Sequence, residues 1–236
     1  MSEALTTVAV ICLTLSEKIA AGVFSVEGRL PSERHLSEYF STTRITLREA
    51  LSQLEGQGLI YREVRRGWFV SPPRIIYNPL QRSHFHAMVR EQGRSARTEV
   101  IDAAVLTASD TVCNKLALPL GSEVYCIRRL RYIDGRPVLY VEHYLNPQFF
   151  PNILNADLTQ SLTDLYSTQY GVSYGRVRFD MVPTRLSEQA SWALKVAPGN
   201  PALFITRVNR DQHHRVIDCD LEYWRYDALQ IDVEVN

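Results

Sequence analysis

Arginine is the residue type with the most chemistry to offer in this sequence. Between Arg29 and Arg74 stand eight arginines, five glutamates, no lysine and no aspartate, a local surplus of three positive charges in a chain whose formal net charge is zero. Guanidinium groups fork onto phosphate oxygens and onto the acceptor edge of guanine. Arg44 and Arg48 are four apart, which places both on one side of a helix. Arg65-Arg66-Gly67 makes a second basic spot. Further along, Arg129 and Arg131 are two apart, so on a strand their side chains point the same way. Two guanidinium groups on one face suit an anionic head group such as phosphate or phosphonate. The whole chain is no polycation, so a nucleic-acid surface has to be a local patch.

Other chemistries find little support. The four cysteines (Cys12, Cys113, Cys126, Cys219) form no C-x-x-C pair, which argues against disulfide or zinc frameworks and for a reducing cytoplasm. The six histidines are dispersed, with His84 and His86 two apart and His213-His214 in an expected turn, so no metal site is expected. P-loop, G-x-G-x-x-G and H-E-x-x-H motifs are all missing, so neither catalytic residues nor a cofactor are expected. The apolar run Val8–Leu15 lacks a basic lead-in and a cleavage site and is too short to span a bilayer. It reads as one side of a buried helix.

The N-terminal elements must position the first arginine set. Leu5, Val8, Cys12, Leu15 and Ile19 recur at helical spacing, predicting a helix over 5–21 that ends at Gly22. Ser32 is a good N-cap for a short second helix with Leu36, Tyr39 and Phe40 on its apolar face. Thr43 can cap a third helix running to about Gln57, with Leu47, Leu51 and Leu54 facing inward. Leu59–Tyr61 and Trp68–Val70 read as two strands around the Arg65-Arg66-Gly67 tip. Pro72 and Pro73 then break the pattern, and 74–82 reads as a linker. Three helices and a basic-tipped hairpin describe a winged helix-turn-helix. Thr43, Arg44, Thr46 and Arg48 in the first turns of the third helix would face the major groove, and Arg66 and Gly67 would form the wing tip.

The run L-P-S-E-R-x-L, then T-T-R-I-T-L-R-E-A-L and R-R-G-W-F-V, spanning Leu30 to Val70, resembles the winged-helix signature of the GntR regulator family. That resemblance implies DNA contacts from Arg34, Arg44, Thr46, Arg48 and Gly67. The family often has Ser where Thr43 stands, and a G-x-G-T-F-V wing where this chain has Arg65 and Trp68.

Past residue 98 strand signals dominate: 99–107, 123–133, 137–145, 174–182, 202–210 and 215–226, with Asp134-Gly135 marking a hairpin. Helices are predicted at 83–93, 110–117, 161–170 and 187–195. The run Leu116–Pro137, followed by E-H-Y, S-L-T-D-L-Y and A-P-G-N-P-A-L, resembles the UTRA-type ligand-binding domain of the HutC subfamily. The resemblance implies a chorismate-lyase-like fold and a pocket for phosphorylated sugars, acids or related anions. It places Arg129, Arg131, Ser161, Glu142, Asp218 and Trp224 at pocket positions, with His84 where a small hydroxyl residue often stands. Ser161 also opens a predicted helix, whose amide donors would add to an anion site. F-H-x-x-x-R-E-Q-G-R and D-x-D-L-E-Y-W-R-Y-D-A-L are further similar to regulators of 2-aminoethylphosphonate use. On that resemblance, Arg129, Arg131 and Ser161 would hold the phosphonate, and Asp218 or Glu142, with the face of Trp224, the ammonium.

The expectation is therefore an α+β chain with three parts. A winged helix-turn-helix occupies 1–73, a linker 74–82, and a small-molecule-sensing α/β domain with a mainly antiparallel sheet 83–236. It would be a cytoplasmic, homodimeric, operator-binding repressor without a membrane segment, released by a small anion, best matched by 2-aminoethylphosphonate. A sugar phosphate or organic acid is the other effector class, and a small-acid enzyme on the same fold is the alternative of another kind.

Overall fold

The architecture is taken from a computed structural model that describes residues 5–24, 28–63, 65–81 and 84–234. Arg82, at the end of the expected linker, and Ser83, at the start of the expected 83–93 helix, lie outside the described residues. The chain divides into two compact units, Met1–Arg74 and Ile75–Asn236.

The first unit is built on three helices and a hairpin. Helix α1 (Thr7–Ala20) is capped by the Thr6 hydroxyl and buries Ile11 and Leu15. Helices α2 (Glu33–Tyr39) and α3 (Arg44–Gly56) start at Ser32 and Thr43, whose hydroxyls accept from the His35 and Thr46 amides. Each cap satisfies one of the amides that the first helical turn leaves without a partner. Leu47, Ala50, Leu51 and Leu54 of α3 are fully buried against Ile11, Leu15, Leu36 and Ile60. Strands β1 (Ile60–Glu63) and β2 (Gly67–Val70) pair antiparallel, and Arg65 and Gly67 turn the hairpin with φ of 64° and 100°. A Cβ at Gly67 would meet only the end of the Arg29 side chain, at 3.9 Å, so the positive φ is the reason for glycine there.

The second unit is a six-stranded, wholly antiparallel sheet. Its strands are β4 (Ala96–Thr107), β5 (Glu123–Ile133), β6 (Arg136–Leu145), β7 (Tyr174–Arg185), β8 (Pro201–Asp211) and β9 (Val216–Arg225), in the order β4-β5-β6-β9-β8-β7. Helices cover both faces. α4 (Phe85–Glu91) and α6 (Leu162–Tyr170) pack on one side. α5 (Asp110–Leu116) and α7 (Glu188–Leu194) pack on the other.

Two details were not expected. Ile75–Tyr77, inside the stretch read as a linker, forms a strand (β3) that pairs in parallel with β10 (Leu229–Ile231). Pro72 and Pro73 hid it, because a three-residue strand has too few positions to show alternation. Ile75 is fully buried beside Val89, Trp224 and Leu229. The second detail concerns register. Asp134 and Gly135, both at positive φ, make the expected two-residue turn, opposing Ile133 to Arg136. Past the turn the pairing slips, so that Tyr132 opposes Pro137 but Arg131 opposes Leu139. The extra residue, Val138, exchanges the faces of everything beyond it on β6.

Ile75→Ala should lower the stability of the second unit by about 2–4 kcal/mol, read as a fall in its urea-unfolding midpoint. A cost under about 0.5 kcal/mol would show that β3 contributes nothing to that core.

Candidate functional site

In the first unit, a groove runs between the start of α2, the start of α3 and the hairpin. Six arginines line it (Arg29, Arg34, Arg44, Arg62, Arg65, Arg66) against Glu33 and Glu63. Arg34 is exposed and pairs with Glu38 at 3.0 Å. Arg44 and Arg48 are exposed on α3. Thr43 and Thr46 bond each other through their hydroxyls at 3.0 Å. Arg66 pairs with Glu63 across the wing turn. Glu33 is the hub: it accepts from Arg48 Nε at 2.8 Å and from Trp68 Nε1 at 3.1 Å. Burial alone would raise the pKa of Glu33, but the bonds from Arg48 and Trp68 outweigh it and keep the carboxylate charged. The Trp68 indole, unexpected at this wing position, thus reaches the carboxylate that aims Arg48.

The second unit holds a cavity of about 100 Å³ between α4, α6 and one face of the sheet. Adjacent strands build a charged belt across its floor. Arg129 of β5 is 1% exposed and has every guanidinium nitrogen occupied. Nε and Nη2 bond His143 Nε2 at 3.0 and 2.9 Å, while Nη1 bonds the carbonyls of Leu158 and Gln160 at 3.2 and 2.9 Å. Arginine has no acceptor, so His143 Nε2 must be the bare nitrogen, and Nδ1–H donates to Asp220 Oδ1 at 2.5 Å. Burial first, then Arg129, push His143 down to about 4 against the opposing pull of Asp220, so the imidazole is neutral at pH 7. Burial works to raise Asp220, but His143, Arg207 and Arg129 outweigh it and hold it ionised. Arg207 of β8 lies 3.3 Å from Glu222 and 3.9 Å from Asp220. Glu222 also accepts from Trp224 Nε1 at 2.8 Å.

Arg131 differs from its neighbours. Its Nε is buried without an acceptor, and no hydrogen bond or ion pair engages the guanidinium among the described residues. It stacks on the Phe85 ring at 4.8 Å. Burial and then the charge of Arg129 push its pKa down to about 9, which still leaves it cationic at neutral pH. Beside it, α6 opens toward the cavity with Ser161, Leu162 and Thr163. The Ser161 hydroxyl accepts from the Asp164 amide at 3.3 Å, which leaves its own proton free to donate. The Leu162 and Thr163 amides have no acceptor among the described residues. His84 caps α4 through Nδ1, with Nε2 3.6 Å from Asp164 at the cavity edge. His86 bonds Thr98 at 3.1 Å, and burial followed by Arg131 lowers it to about 4. A cation and amide donors without acceptors, lining one cavity, have the chemistry to hold an anion.

Of the residues singled out from sequence, His84, Arg129, Arg131, Ser161 and Trp224 line this cavity, and Glu142 and Asp218 do not. Glu142 projects from the opposite face, where Arg128, Tyr140 and Tyr144 donate to it. Asp218 shares the cavity face but is wholly buried below it, held by Asn209 and by Tyr174 at 2.9 Å. Burial and the neighbouring Asp220 raise its pKa to about 7. Sequence reasoning passed over Asp220 and Glu222. Alternation along β9 places 218, 220, 222 and 224 on one face, so naming Asp218 and Trp224 implied the two between. Arg207 gave no sequence signal beyond its strand.

Two family models match the chain, one within each unit. The UTRA domain model matches residues 91–230, and the model "bacterial regulatory proteins, gntR family" matches residues 7–70. The chain belongs to the GntR family. This GntR regulator is 30% identical over 215 residues to the uncharacterized HTH-type transcriptional regulator YihL of Escherichia coli, 91% of each chain. A probable fructoselysine utilization operon transcriptional repressor of Shigella flexneri is 26% identical, covering 93% of this chain and 90% of its own. The crystal structure of PhnF from Mycobacterium smegmatis superposes with a TM-score of 0.66 at 22% identity, covering 96% of this chain and 99% of PhnF. It shares the fold. Among the described residues no helix is long and apolar enough to cross a membrane, and no group of three or more His, Cys, Asp or Glu could hold a metal.

The neutral His143 makes the GntR regulator acid-sensitive. A histidine at about 4 when folded and about 6.5 when unfolded takes up its proton preferentially in the unfolded chain. Its stability contribution is complete above about pH 6.5 and is lost as pH falls toward 4, a difference of about 3 kcal/mol. His143→Gln can still accept from Arg129 and donate to Asp220, so it should fold at pH 7.5 and show a shallower loss of unfolding free energy between pH 6.5 and 4. An identical pH slope in both proteins would contradict the neutral-imidazole assignment.

Proposed function

We propose that the protein is a homodimeric transcriptional repressor whose operator affinity is set by a small anion bound in the UTRA cavity. The observation that carries this reading is Arg131: a buried guanidinium with no acceptor, lining the same cavity as Leu162 and Thr163, whose amides have no acceptor among the described residues. A phosphate or phosphonate group accepts from all of these donors and from the Ser161 hydroxyl. Arg129, with each of its nitrogens already engaged, acts by holding the loop that opens α6.

The effector we favour is 2-aminoethylphosphonate. Its compact size suits a cavity of about 100 Å³. Neither Glu142 nor Asp218 is placed to receive its ammonium, so that role falls to Glu222, which lines the cavity beside the Trp224 ring and keeps unused lone pairs. In the first unit, Arg34, Arg44, Arg48 and the wing residues Arg66 and Gly67 form the operator-binding surface. The Thr43–Thr46 pair fixes the start of α3 as it enters the major groove. The effector acts by favouring a dimer geometry that misplaces the two recognition helices on a two-fold operator.

Calorimetric titration should show saturable binding of 2-aminoethylphosphonate, with weaker or no binding of glucosamine 6-phosphate. Arg131→Gln should weaken that binding by roughly 10- to 150-fold, the loss of one or two charge-assisted bonds. Tighter binding of the sugar phosphate would move the effector class, and an Arg131→Gln variant of unchanged affinity would remove the anion site. On DNA, Arg48→Ala should cost about 1–3 kcal/mol at the operator and relax base preference. Unchanged affinity and preference in a gel-shift assay would displace α3 as the reading helix.

A further inference from the structure

We propose that Ile45 is a base-reading residue, packing its side chain on the C5 methyl group of a thymine in the major groove. The inference rests on the reading of α3 as the helix that enters DNA, and it assigns a specificity role to a residue outside the set of hydrogen-bonding side chains.

Ile45 is the second residue of α3 and is 81% exposed. At about 100° per residue it points nearly opposite to Leu47, Ala50, Leu51 and Leu54, the face buried in the core. On the outward face its neighbours are Arg48, Glu49 and Ser52, with Arg44 one residue before it. It is the one exposed large apolar side chain on α3. A single exposed isoleucine is unremarkable on an arbitrary surface. Here it occupies the middle of the N-terminal turns, flanked by two exposed arginines, in the part of a recognition helix that meets base edges. A β-branched residue also gains nothing there from helix propensity, since alanine would be the better helix former.

The chemistry of the groove then names the partner. Base pairs present hydrogen-bond donors and acceptors on the major-groove edge, and one apolar feature, the thymine methyl. Arg44 and Arg48 match the acceptors of guanine or the phosphates, and Ile45 between them matches the methyl. A helix with donors alone would read guanine positions, whereas the isoleucine adds discrimination of thymine from cytosine at an intervening position.

The test uses the full-length protein and sites selected from a random-sequence DNA pool. The wild type should select sites with a fixed thymine, and Ile45→Ala should lose the preference at that position while keeping the others. On a selected site, each thymine is then replaced in turn by deoxyuridine, which removes only the methyl. One replacement should weaken wild-type binding by roughly 3- to 10-fold, about the worth of one methyl contact, and leave Ile45→Ala unaffected. Thermal melting checks that the variant is folded, as expected for so exposed a side chain. The inference is overturned if no thymine is fixed, if deoxyuridine is tolerated everywhere, or if wild type and variant lose equally. Selection of no sequence at all would instead remove the DNA-binding reading beneath it.

Discussion

The second unit is organised around one buried cation. Placing the Arg129 guanidinium at 1% exposure is tolerable only if its nitrogens find acceptors and its charge is balanced nearby. The solution crosses the sheet: Arg129 on β5, the neutral His143 on β6, Asp220 on β9 and Arg207 on β8. His143 serves because a neutral imidazole accepts from arginine on one side and donates to carboxylate on the other. The two remaining acceptors are the Leu158 and Gln160 carbonyls, in the loop immediately before Ser161. The same network that neutralises Arg129 therefore also sets where α6 begins. It leaves Arg131, two residues along the same strand, with no carboxylate of its own. The proposed anion site is what remains once the core has satisfied itself.

A smaller hub of the same kind organises the first unit. Glu33, at the start of α2, holds both Arg48 of α3 and the Trp68 indole of the wing. Helix and wing are thereby tied to one carboxylate. Glu33 and Trp68 line the groove with the six arginines, and Arg48 is bonded to Glu33. Preorganising two contact elements before DNA arrives reduces the ordering cost of binding.

Much of this was legible in the sequence, because the elements rest on local signals that the tertiary structure did not override. The caps at Ser32, Thr43 and Ser161 and the leucines of α3 stand where periodicity and capping chemistry put them. So does the Asp134-Gly135 turn, and the six long strands lie close to their expected bounds. What escaped depended on non-local facts. β3 exists because β10, about 150 residues later, offers it an edge. Glu142 illustrates the sharper failure. Carried straight from the two-residue turn, the β5–β6 register would set Glu142 on the face of Arg129. The one-residue bulge at Val138 turns it to the far side, where it serves Arg128 and two tyrosines. A single extra residue thus decides whether a carboxylate faces the cavity. Arg129 was found but its task was not: spacing shows that two arginines share a face, and only their partners show that one is filled and the other open.

The most direct test is a crystal structure of the protein with 2-aminoethylphosphonate bound. The account predicts the phosphonate oxygens within hydrogen-bonding distance of the Arg131 guanidinium and of the Leu162 and Thr163 amides, with Arg129 still on His143 and the Leu158 and Gln160 carbonyls. A phosphonate held by Arg129 in place of those partners, or one bound away from Arg131, would contradict it.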